Sequence, residues 1–146
     1  MRALFKAPAW LYRAGAGSLL GKRVLAVTHR GRKSGKLYET VLEVVAFDPE
    51  RGESVVASAY GTGADWYRNL QAGGALRVRT WRLDYVPAIR FLAGEEAGEV
   101  AAEYCRRHPW AARLLARELP AIGSVAPPGD PVSMVSSLPM VAFRPS

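Results

Sequence analysis

The strongest constraint on the fold is a succession of short, β-branched apolar runs separated mostly by turns. Runs of strand length occur at residues 23–28, 40–47, 54–58, 75–81, 83–91 and 139–143. Such runs, bounded by turn residues, predict β-strands. Only two separated helical segments interrupt them, so the strand–helix repeat of a parallel sheet is absent. The sequence therefore predicts a mainly β fold with flanking helices, a small antiparallel barrel of about six strands.

The 146 residues are expected to form one domain, residues 1–146, because this length can bury a single adequate core. Asp65 is predicted to cap a short helix, and a longer helix is expected to end at His108, since Pro109 disfavours helix at the residue before it. The two runs after residue 74 are predicted to pair as a hairpin. The predicted order is an N-terminal helix (1–21), barrel strands (22–92) with an inserted helix (64–72), a helical segment (94–119), a loop (120–137) and a last strand (138–144).

The segment THRGRKSGK, residues 28–36, has the composition of an anion cradle. It follows an apolar run and contains four cations, two hydroxyls and two glycines. Gly31 and Gly35 allow positive φ and close backbone approach, while the planar guanidinium of Arg32 can bind phosphate with two donors. The spacing is one residue too short for a Walker phosphate loop. A basic hairpin turn without a ligand is the alternative.

The positive charge of the chain is concentrated near its start. The first 40 residues contain nine Lys/Arg and one acid, whereas the remaining 106 contain eleven Lys/Arg and twelve acids. A general basic bias would be spread evenly along the chain. The concentration therefore predicts an anionic partner at one face: a phosphorylated cofactor, nucleic acid or acidic lipid.

Few residues suit disulfide or metal chemistry. Cys105 is the only cysteine, and His29 and His108 are the only histidines. We therefore expect no intrachain disulfide, no metal site and a reducing compartment. No apolar stretch reaches the roughly 20 residues of a membrane span. The protein is expected to be cytoplasmic. The amphipathic N-terminal helix could make weak contact with the inner membrane face, and the alternative is that it packs over the mouth of the barrel.

Four segments in order resemble the deazaflavin-dependent nitroreductase family. They are GRKSGK at residues 31–36, VAS at 56–58 before a glycine-rich turn, DWYRNLQA at 65–72 and LPMV at 138–141. The resemblance runs from about Val24 to Phe143. It implies a split β-barrel of the FMN-binding type and an oxidoreductase with reduced coenzyme F420 as hydride donor. The acceptor would be an activated alkene, a quinone or a nitro compound.

The resemblance also implies which residues bind the coenzyme. The phosphate and acidic tail would be held by Arg32, Lys33, Ser34 and Lys36, with His29 close by. The deazaflavin ring would be lined by Ser58, Ala59, Tyr60 and Gly61, and contacted by Asp65, Trp66 and Asn69. The alternative for Trp66 is that it forms, with Leu70 four residues later, the apolar face of a surface helix. A proton must also be supplied during reduction, and Tyr60 and Tyr38 are the candidate catalytic donors.

Several alternatives remain open at this point. FMN could replace F420, because the wider superfamily binds it at the same rim of the barrel. The protein could instead carry a cofactor without turnover, or bind nucleic acid through its basic face. We expect a small-molecule acceptor rather than nucleic acid as the partner. A homodimer is expected from the resemblance alone.

Overall fold

The computed structural model describes residues 24–58, 63–80, 83–110, 112–113 and 130–146. The strands are β1 (Val24–Arg30), β2 (Leu37–Asp48), β3 (Glu53–Ala57), β4 (Ala75–Thr80), β5 (Leu83–Tyr85), β6 (Pro87–Leu92) and β7 (Met140–Pro145). The helices are α1 (Asp65–Gln71), α2 (Gly94–Arg107) and α3 (Pro131–Ser136). The predicted N-terminal helix, and with it the proposed membrane contact, lies outside the described residues.

The strands form one antiparallel sheet in the order β5-β4-β1-β2-β3-β7-β6, which curls into a half-barrel. The predicted class, a mainly β antiparallel barrel with flanking helices, is confirmed. Seven strands are present among the described residues where about six were predicted. The extra strand arises because the run at 83–91 is divided.

That division changes the predicted hairpin. β5 pairs with β4, as predicted, but β6 pairs with β7 at the opposite end of the sheet. Val86 separates the two strands, and Pro87, which has no N–H to donate, begins β6. The apolar run therefore crosses from one edge of the sheet to the other instead of continuing one ladder.

β2 contains a bulge, which changes the face of the sheet on which its side chains pack. Val44 lies opposite Val56 and Ala46 opposite Val55, so Val45 is an extra residue on β2. An extra residue bends a strand and reverses which face the following side chains occupy. Val44 accordingly packs inside the barrel, whereas Val45 and Ala46 both pack on its outer face.

The apolar core is divided between these two faces of the sheet. The barrel interior contains Leu25, Val27, Leu42, Val56, Trp66, Tyr67, Leu70, Val78, Val141 and Phe143. On the outer face, α2 and α3 cover β3 and β7 with Ala97, Ala101, Tyr104, Met134 and Val135 among the buried residues. Helices α2 and α3 therefore lie on the outer side, whereas α1 packs against the interior near the end of β1.

Several predicted boundaries need correction. β2 begins at Leu37 rather than at residue 40, because the β1–β2 ladder continues to the pair of Arg30 and Leu37. The predicted loop at 120–137 contains helix α3, whose first residue is Pro131, a position where the missing N–H costs no hydrogen bond. α2 ends before His108, as predicted. Beyond Pro109, residues 110, 112 and 113 are helical, and 114–119 lie outside the described residues.

A buried ion pair ties two strands to α2. The side chain of Glu53 on β3 is only 5% exposed, and it accepts two hydrogen bonds from Arg90 on β6, at 2.8 and 3.0 Å. Arg90 also donates to Glu96 in the first turn of α2, at 2.7 Å. These hydrogen bonds raise the pKa of Arg90 and lower that of Glu96. Arg90 therefore carries its charge throughout the working pH range.

Candidate functional site

The loop between β1 and β2, residues 31–36, is a compact turn and is called the basic loop below. The Gly31 N–H donates to the Lys36 carbonyl at 2.7 Å, and the Gly35 N–H donates to the Gly31 carbonyl at 2.9 Å. Gly35 has a φ of 73°, in the left-handed region that favours glycine. The Ser34 hydroxyl accepts a hydrogen bond from the Lys36 N–H at 3.2 Å. Local hydrogen bonds therefore fix the course of this loop.

Three exposed cations lie on or beside the basic loop: Arg30, Lys33 and Lys36. None of them forms an ion pair within the part of the chain that the structure describes. A cation that is not neutralised by a neighbouring carboxylate retains its attraction for an approaching anion. These three side chains are therefore available to an anionic ligand.

Arg32 differs from its neighbours because its guanidinium is already bound within the protein. Nη2 donates to the Asp65 carboxylate at 3.2 Å, and Nη1 donates to Oδ1 of Asn69 at 2.9 Å. The Arg32 side chain is 20% exposed. Asp65 does not cap α1 as predicted: Ala64 occupies the N-cap position, and the Asp65 carboxylate pairs with Arg32 instead. The contact fastens the basic loop to α1.

Asn69 is the centre of a buried hydrogen-bond network. Its Oδ1 accepts from the Arg32 backbone N–H at 3.1 Å as well as from the guanidinium, and its Nδ2 donates to Nδ1 of His29 at 3.0 Å. Its backbone carbonyl accepts from Gly74 at 2.9 Å. The Asn69 residue is buried beneath the basic loop and is only 3% exposed. Asn69 therefore joins α1, β1 and the basic loop.

The network determines the tautomer of His29. Because Nδ1 accepts a hydrogen bond from Asn69, the ring proton lies on Nε2, which donates to the Thr40 hydroxyl at 3.0 Å. A register shift in the β1–β4 pairing falls between Thr28 and His29. Bulges of this kind occur frequently beside functional sites, where they change the direction of a side chain. His29 is 3% exposed and lies beneath the basic loop.

Tyr38 covers His29 on the solvent side. The two rings are stacked with their centroids 5.9 Å apart and their planes at 26°. The Tyr38 hydroxyl is 3.4 Å from Oγ of Ser34, and the residue is 46% exposed. A methyl group at Gly31 would come within 2.9 Å of the Tyr38 ring. A side chain at Gly31 would therefore displace the Tyr38 ring from this position. The predicted proton donor lies next to the basic loop.

The structure describes some of the residues that were predicted to line the deazaflavin ring. Ser58 follows β3, is 1% exposed and donates its N–H to the Pro139 carbonyl at 2.8 Å. Trp66 is 6% exposed and packs inside the barrel, with its ring edge-on to Tyr67. This packing matches the core alternative considered for Trp66. The other predicted residues of this group, Ala59, Tyr60 and Gly61, lie outside the described residues.

Two residues of the site were missed in the sequence. Thr40 is the partner of His29, and Gly74 accepts a hydrogen bond from the Arg30 N–H at 2.9 Å. A methyl group at Gly74 would lie 2.7 Å from the Arg30 carbonyl oxygen. The pair Gly73-Gly74 could have indicated this close approach. Gly73, with a φ of 83°, suffices to end α1, so the presence of a second glycine is not explained by the helix end.

Two side chains outside the basic loop, those of Cys105 and Tyr67, could also react. Burial and the nearby Asp130 raise the pKa of Cys105, which disfavours a reactive thiolate. Burial also raises the pKa of Tyr67. No cluster of three or more His, Cys, Asp or Glu residues arranged for a metal ion occurs in the described ranges. None of the described helices has the length and apolar character needed to cross a bilayer.

No protein-family model and no curated protein sequence matches the chain. Solved structures resemble it. An F420-H2 dependent reductase (FDR-A) aligns with a TM-score of 0.55 at 18% identity, over 85% of this chain and 96% of the reductase. A domain-swapped dimer aligns with a TM-score of 0.55 at 17% identity, over 94% of this chain and 100% of its own.

A third similar structure comes from Clostridium acetobutylicum. It is a protein related to general stress protein 26 of B. subtilis, of the pyridoxinephosphate oxidase family. It aligns with a TM-score of 0.50 at 9% identity, over 95% of this chain and 86% of its own. At such low identities the likeness concerns the arrangement of the strands. The chain therefore shares the fold of these structures, an antiparallel sheet curled into a split β-barrel.

Proposed function

We propose that the protein is an oxidoreductase that uses reduced coenzyme F420 to reduce an activated alkene, a quinone or a nitro-type acceptor. The observation that carries this proposal is the basic loop, with three exposed cations that no described acid neutralises. F420 has a phosphate and an acidic tail, so its charge complements the loop. The F420-H2 dependent reductase among the similar structures supports the choice of cofactor.

The described residues fit such a cofactor. In the proposed complex, Lys33 and Lys36 bind the phosphate and acidic tail, together with the Ser34 hydroxyl and the exposed side chain of Arg30. Arg32 contributes those guanidinium N–H groups that do not bind Asp65 or Asn69. Its contacts with these two residues hold the guanidinium in place. The proposed ring-binding region is formed by Ser58 and Asp65 together with Ala59, Tyr60 and Gly61, which lie outside the described residues. Trp66 belongs to the barrel core instead.

The bound coenzyme would supply the hydride, and the protein would supply orientation, exclusion of water and a proton. Tyr38 is the proposed proton donor within the described residues, with Tyr60 as the second candidate. The Tyr38 ring is held by its stacking on His29, so its hydroxyl has a defined position near Ser34. A donor in a fixed position contributes more to a proton transfer than one that moves freely.

Tyr38→Phe is therefore expected to lower turnover about a hundredfold, the effect of losing a general acid. The substitution keeps the ring that packs on His29, so the dissociation constant of the coenzyme should change less than about twofold. Steady-state kinetics with saturating reduced coenzyme, together with a binding titration, would measure both quantities. Unchanged turnover in Tyr38→Phe would transfer the proposed role to Tyr60.

The binding of the anionic groups can be tested by removing two charges from the basic loop. Lys33→Ala/Lys36→Ala is expected to weaken F420 binding about thirtyfold, if each exposed charge pair contributes about 1 kcal/mol. Raising the salt concentration should weaken binding to the wild-type protein more than to this variant. Fluorescence titration with oxidised F420 at two salt concentrations would measure these effects.

A matched control removes the same charge elsewhere. Arg113 and Arg144 are exposed and have no acidic partner in the described part of the chain. Arg113→Ala/Arg144→Ala should leave the affinity within about twofold, since it alters only distant, screened charge. Equal losses of affinity in the two double variants would mean that net charge, rather than the basic loop, governs binding.

FMN is the second candidate cofactor, and one comparison favours it. The structure from Clostridium acetobutylicum belongs to the pyridoxinephosphate oxidase family and shares this fold. FMN also carries a phosphate, so the same cations could bind it. Parallel titrations with F420 and FMN separate the two proposals, because the tighter ligand identifies the cofactor.

We further propose a single cytoplasmic domain that forms a homodimer. A domain-swapped dimer among the similar structures supports the dimer. A contact between the N-terminal segment and the inner membrane face remains part of the proposal. Sedimentation of the protein with and without residues 1–13 in the presence of anionic liposomes would test that contact.

A further inference from the structure

Both polar atoms of the Asn69 side chain are bound to other residues of the protein. The side-chain oxygen of Asn69 accepts two hydrogen bonds, both from Arg32, and its side-chain nitrogen donates to His29. The residue is 3% exposed. A buried amide with this many internal partners maintains the geometry of the groups around it.

We propose that Asn69 is a positioning residue that acts on the ligand through Arg32 and His29. This inference rests on the proposed function in so far as it concerns the affinity for the anionic coenzyme. Sequence resemblance assigned Asn69 a direct contact with the coenzyme, and the hydrogen bonds assign it an indirect role. It fixes the guanidinium at one end of the basic loop and the imidazole beneath it.

The orientation of the amide follows from its partners. The backbone N–H and the guanidinium of Arg32 are both donors, so the atom of Asn69 facing them is the oxygen. The nitrogen then faces His29 and donates to Nδ1, which leaves the ring proton on Nε2. Arg32, Asn69, His29 and Thr40 therefore form one chain of hydrogen bonds with a single direction.

This chain connects to the exposed surface of the site at two points. Arg32 is followed immediately by Lys33, so fixing the Arg32 backbone N–H also fixes where the exposed part of the basic loop begins. His29 supports the ring of Tyr38, which is 46% exposed. Loss of the Asn69 amide should thus loosen both the cation-bearing segment and the aromatic surface beside it.

The ring proton of His29 can be observed directly, without any ligand. The chain contains only two histidines, so a ¹⁵N spectrum of the imidazole nitrogens contains two sets of signals, and His108→Asn assigns them. In the wild-type protein, Nδ1 of His29 should appear as an unprotonated nitrogen and Nε2 as a protonated one. The opposite tautomer in the wild-type protein would overturn the proposed direction of the chain.

Asn69→Asp provides the decisive variant for the tautomer. An aspartate can still accept from Arg32, but its second oxygen cannot donate to His29. The proton should therefore move to Nδ1 of His29, or the ring should become protonated at both nitrogens. Unchanged signals from His29 in Asn69→Asp would overturn the proposal, and this test remains available if Asn69→Ala fails to fold.

The effect on the ligand is tested with a double-mutant cycle and oxidised F420 as the probe. Asn69→Ala is expected to weaken F420 binding about tenfold. By analogy, residues that orient metal ligands in other proteins change affinity by about tenfold or more. If Asn69 acts mainly through Arg32, then Arg32→Ala/Asn69→Ala should bind almost as well as Arg32→Ala alone. Additive losses would show that Asn69 does not act on the ligand through Arg32 and would contradict the positioning role as proposed.

The outcomes distinguish this inference from the proposed function. If the wild-type protein binds neither F420 nor FMN, the proposed function fails, and the imidazole spectra alone decide whether Asn69 sets the His29 tautomer. If F420 binds and the cycle is additive, the proposed function stands and the positioning role fails.

Discussion

Replacing Arg90 by leucine is expected to lower the free energy of unfolding by about 3 kcal/mol. The substitution leaves the carboxylate of Glu53, which is 5% exposed, without its bidentate partner. An unpaired buried charge costs more than the net contribution of the intact pair, because the desolvation of the remaining group is no longer compensated. The value is at the low end of the usual range, since Arg90 itself is 39% exposed.

The reverse substitution should cost much less. In Glu53→Gln, Arg90 keeps its hydrogen bond to Glu96 and is near enough to the surface to be hydrated, so the expected loss is about 1 kcal/mol. Glu53→Leu/Arg90→Leu removes both charges and should recover part of the loss seen in Arg90→Leu. Urea denaturation of the three variants, with equal m-values as the check on two-state unfolding, would measure these differences.

An exposed ion pair supplies the control for Arg90→Leu. Arg106 pairs with Glu103 on the surface of α2, at 2.6 Å. Arg106→Leu should change the free energy of unfolding by less than about 0.5 kcal/mol, because exposed pairs are hydrated and screened. Equal losses for Arg90→Leu and Glu53→Gln would show that burial of the Glu53 carboxylate is not the source of the effect.

Gly74→Ala is expected to destabilise the protein by about 2 kcal/mol and to weaken binding at the basic loop. The added methyl group would lie 2.7 Å from the Arg30 carbonyl oxygen and 2.8 Å from that of Asn69. Both are backbone atoms, so the conflict is relieved only by moving β1 or α1. The hydrogen bonds of Gly74 with Arg30 and Asn69 would be strained by the same movement.

Gly98→Ala is the matched control and should have the opposite sign. Gly98 lies within α2, and a methyl group there meets no atom within 4 Å among the described residues. Alanine in a helix interior is favoured over glycine by about 0.5–1 kcal/mol. Thermal unfolding of both variants would reveal opposite shifts in Tm. A stable Gly74→Ala protein with unchanged F420 affinity would contradict the close approach of β1 and α1.

Much of the fold could be predicted from the sequence because its signals are local. Short β-branched apolar runs bounded by turn residues indicated the strands, and Pro109 indicated the end of α2. The destination of β6 could not be predicted, since pairing with β7 depends on contacts between residues 48 to 58 positions apart in the chain. The bulge at Val45 in β2 was likewise missed, because a register shift leaves no mark in a continuous apolar run.

The candidate site shows the same limit. The basic loop was found from its residues, and its neighbours His29, Asp65 and Asn69 were nominated through the family resemblance. The structure brings these residues together with Arg32. Which cations are exposed and which are bound internally depends on how α1 packs, so the sequence could not separate Arg32 from Lys33 or Lys36. Their part in cofactor binding stays a prediction.

Turnover of reduced F420 by the wild-type protein tests the central claim most directly. Under anaerobic conditions, reduced F420 is mixed with the protein and a quinone, an activated alkene or a nitro compound, and the absorbance of the oxidised deazaflavin is followed. The account predicts oxidation that requires both the protein and an acceptor and exceeds the rate with reduced FMN. Oxidation no faster than in the protein-free control, for every acceptor, would contradict it.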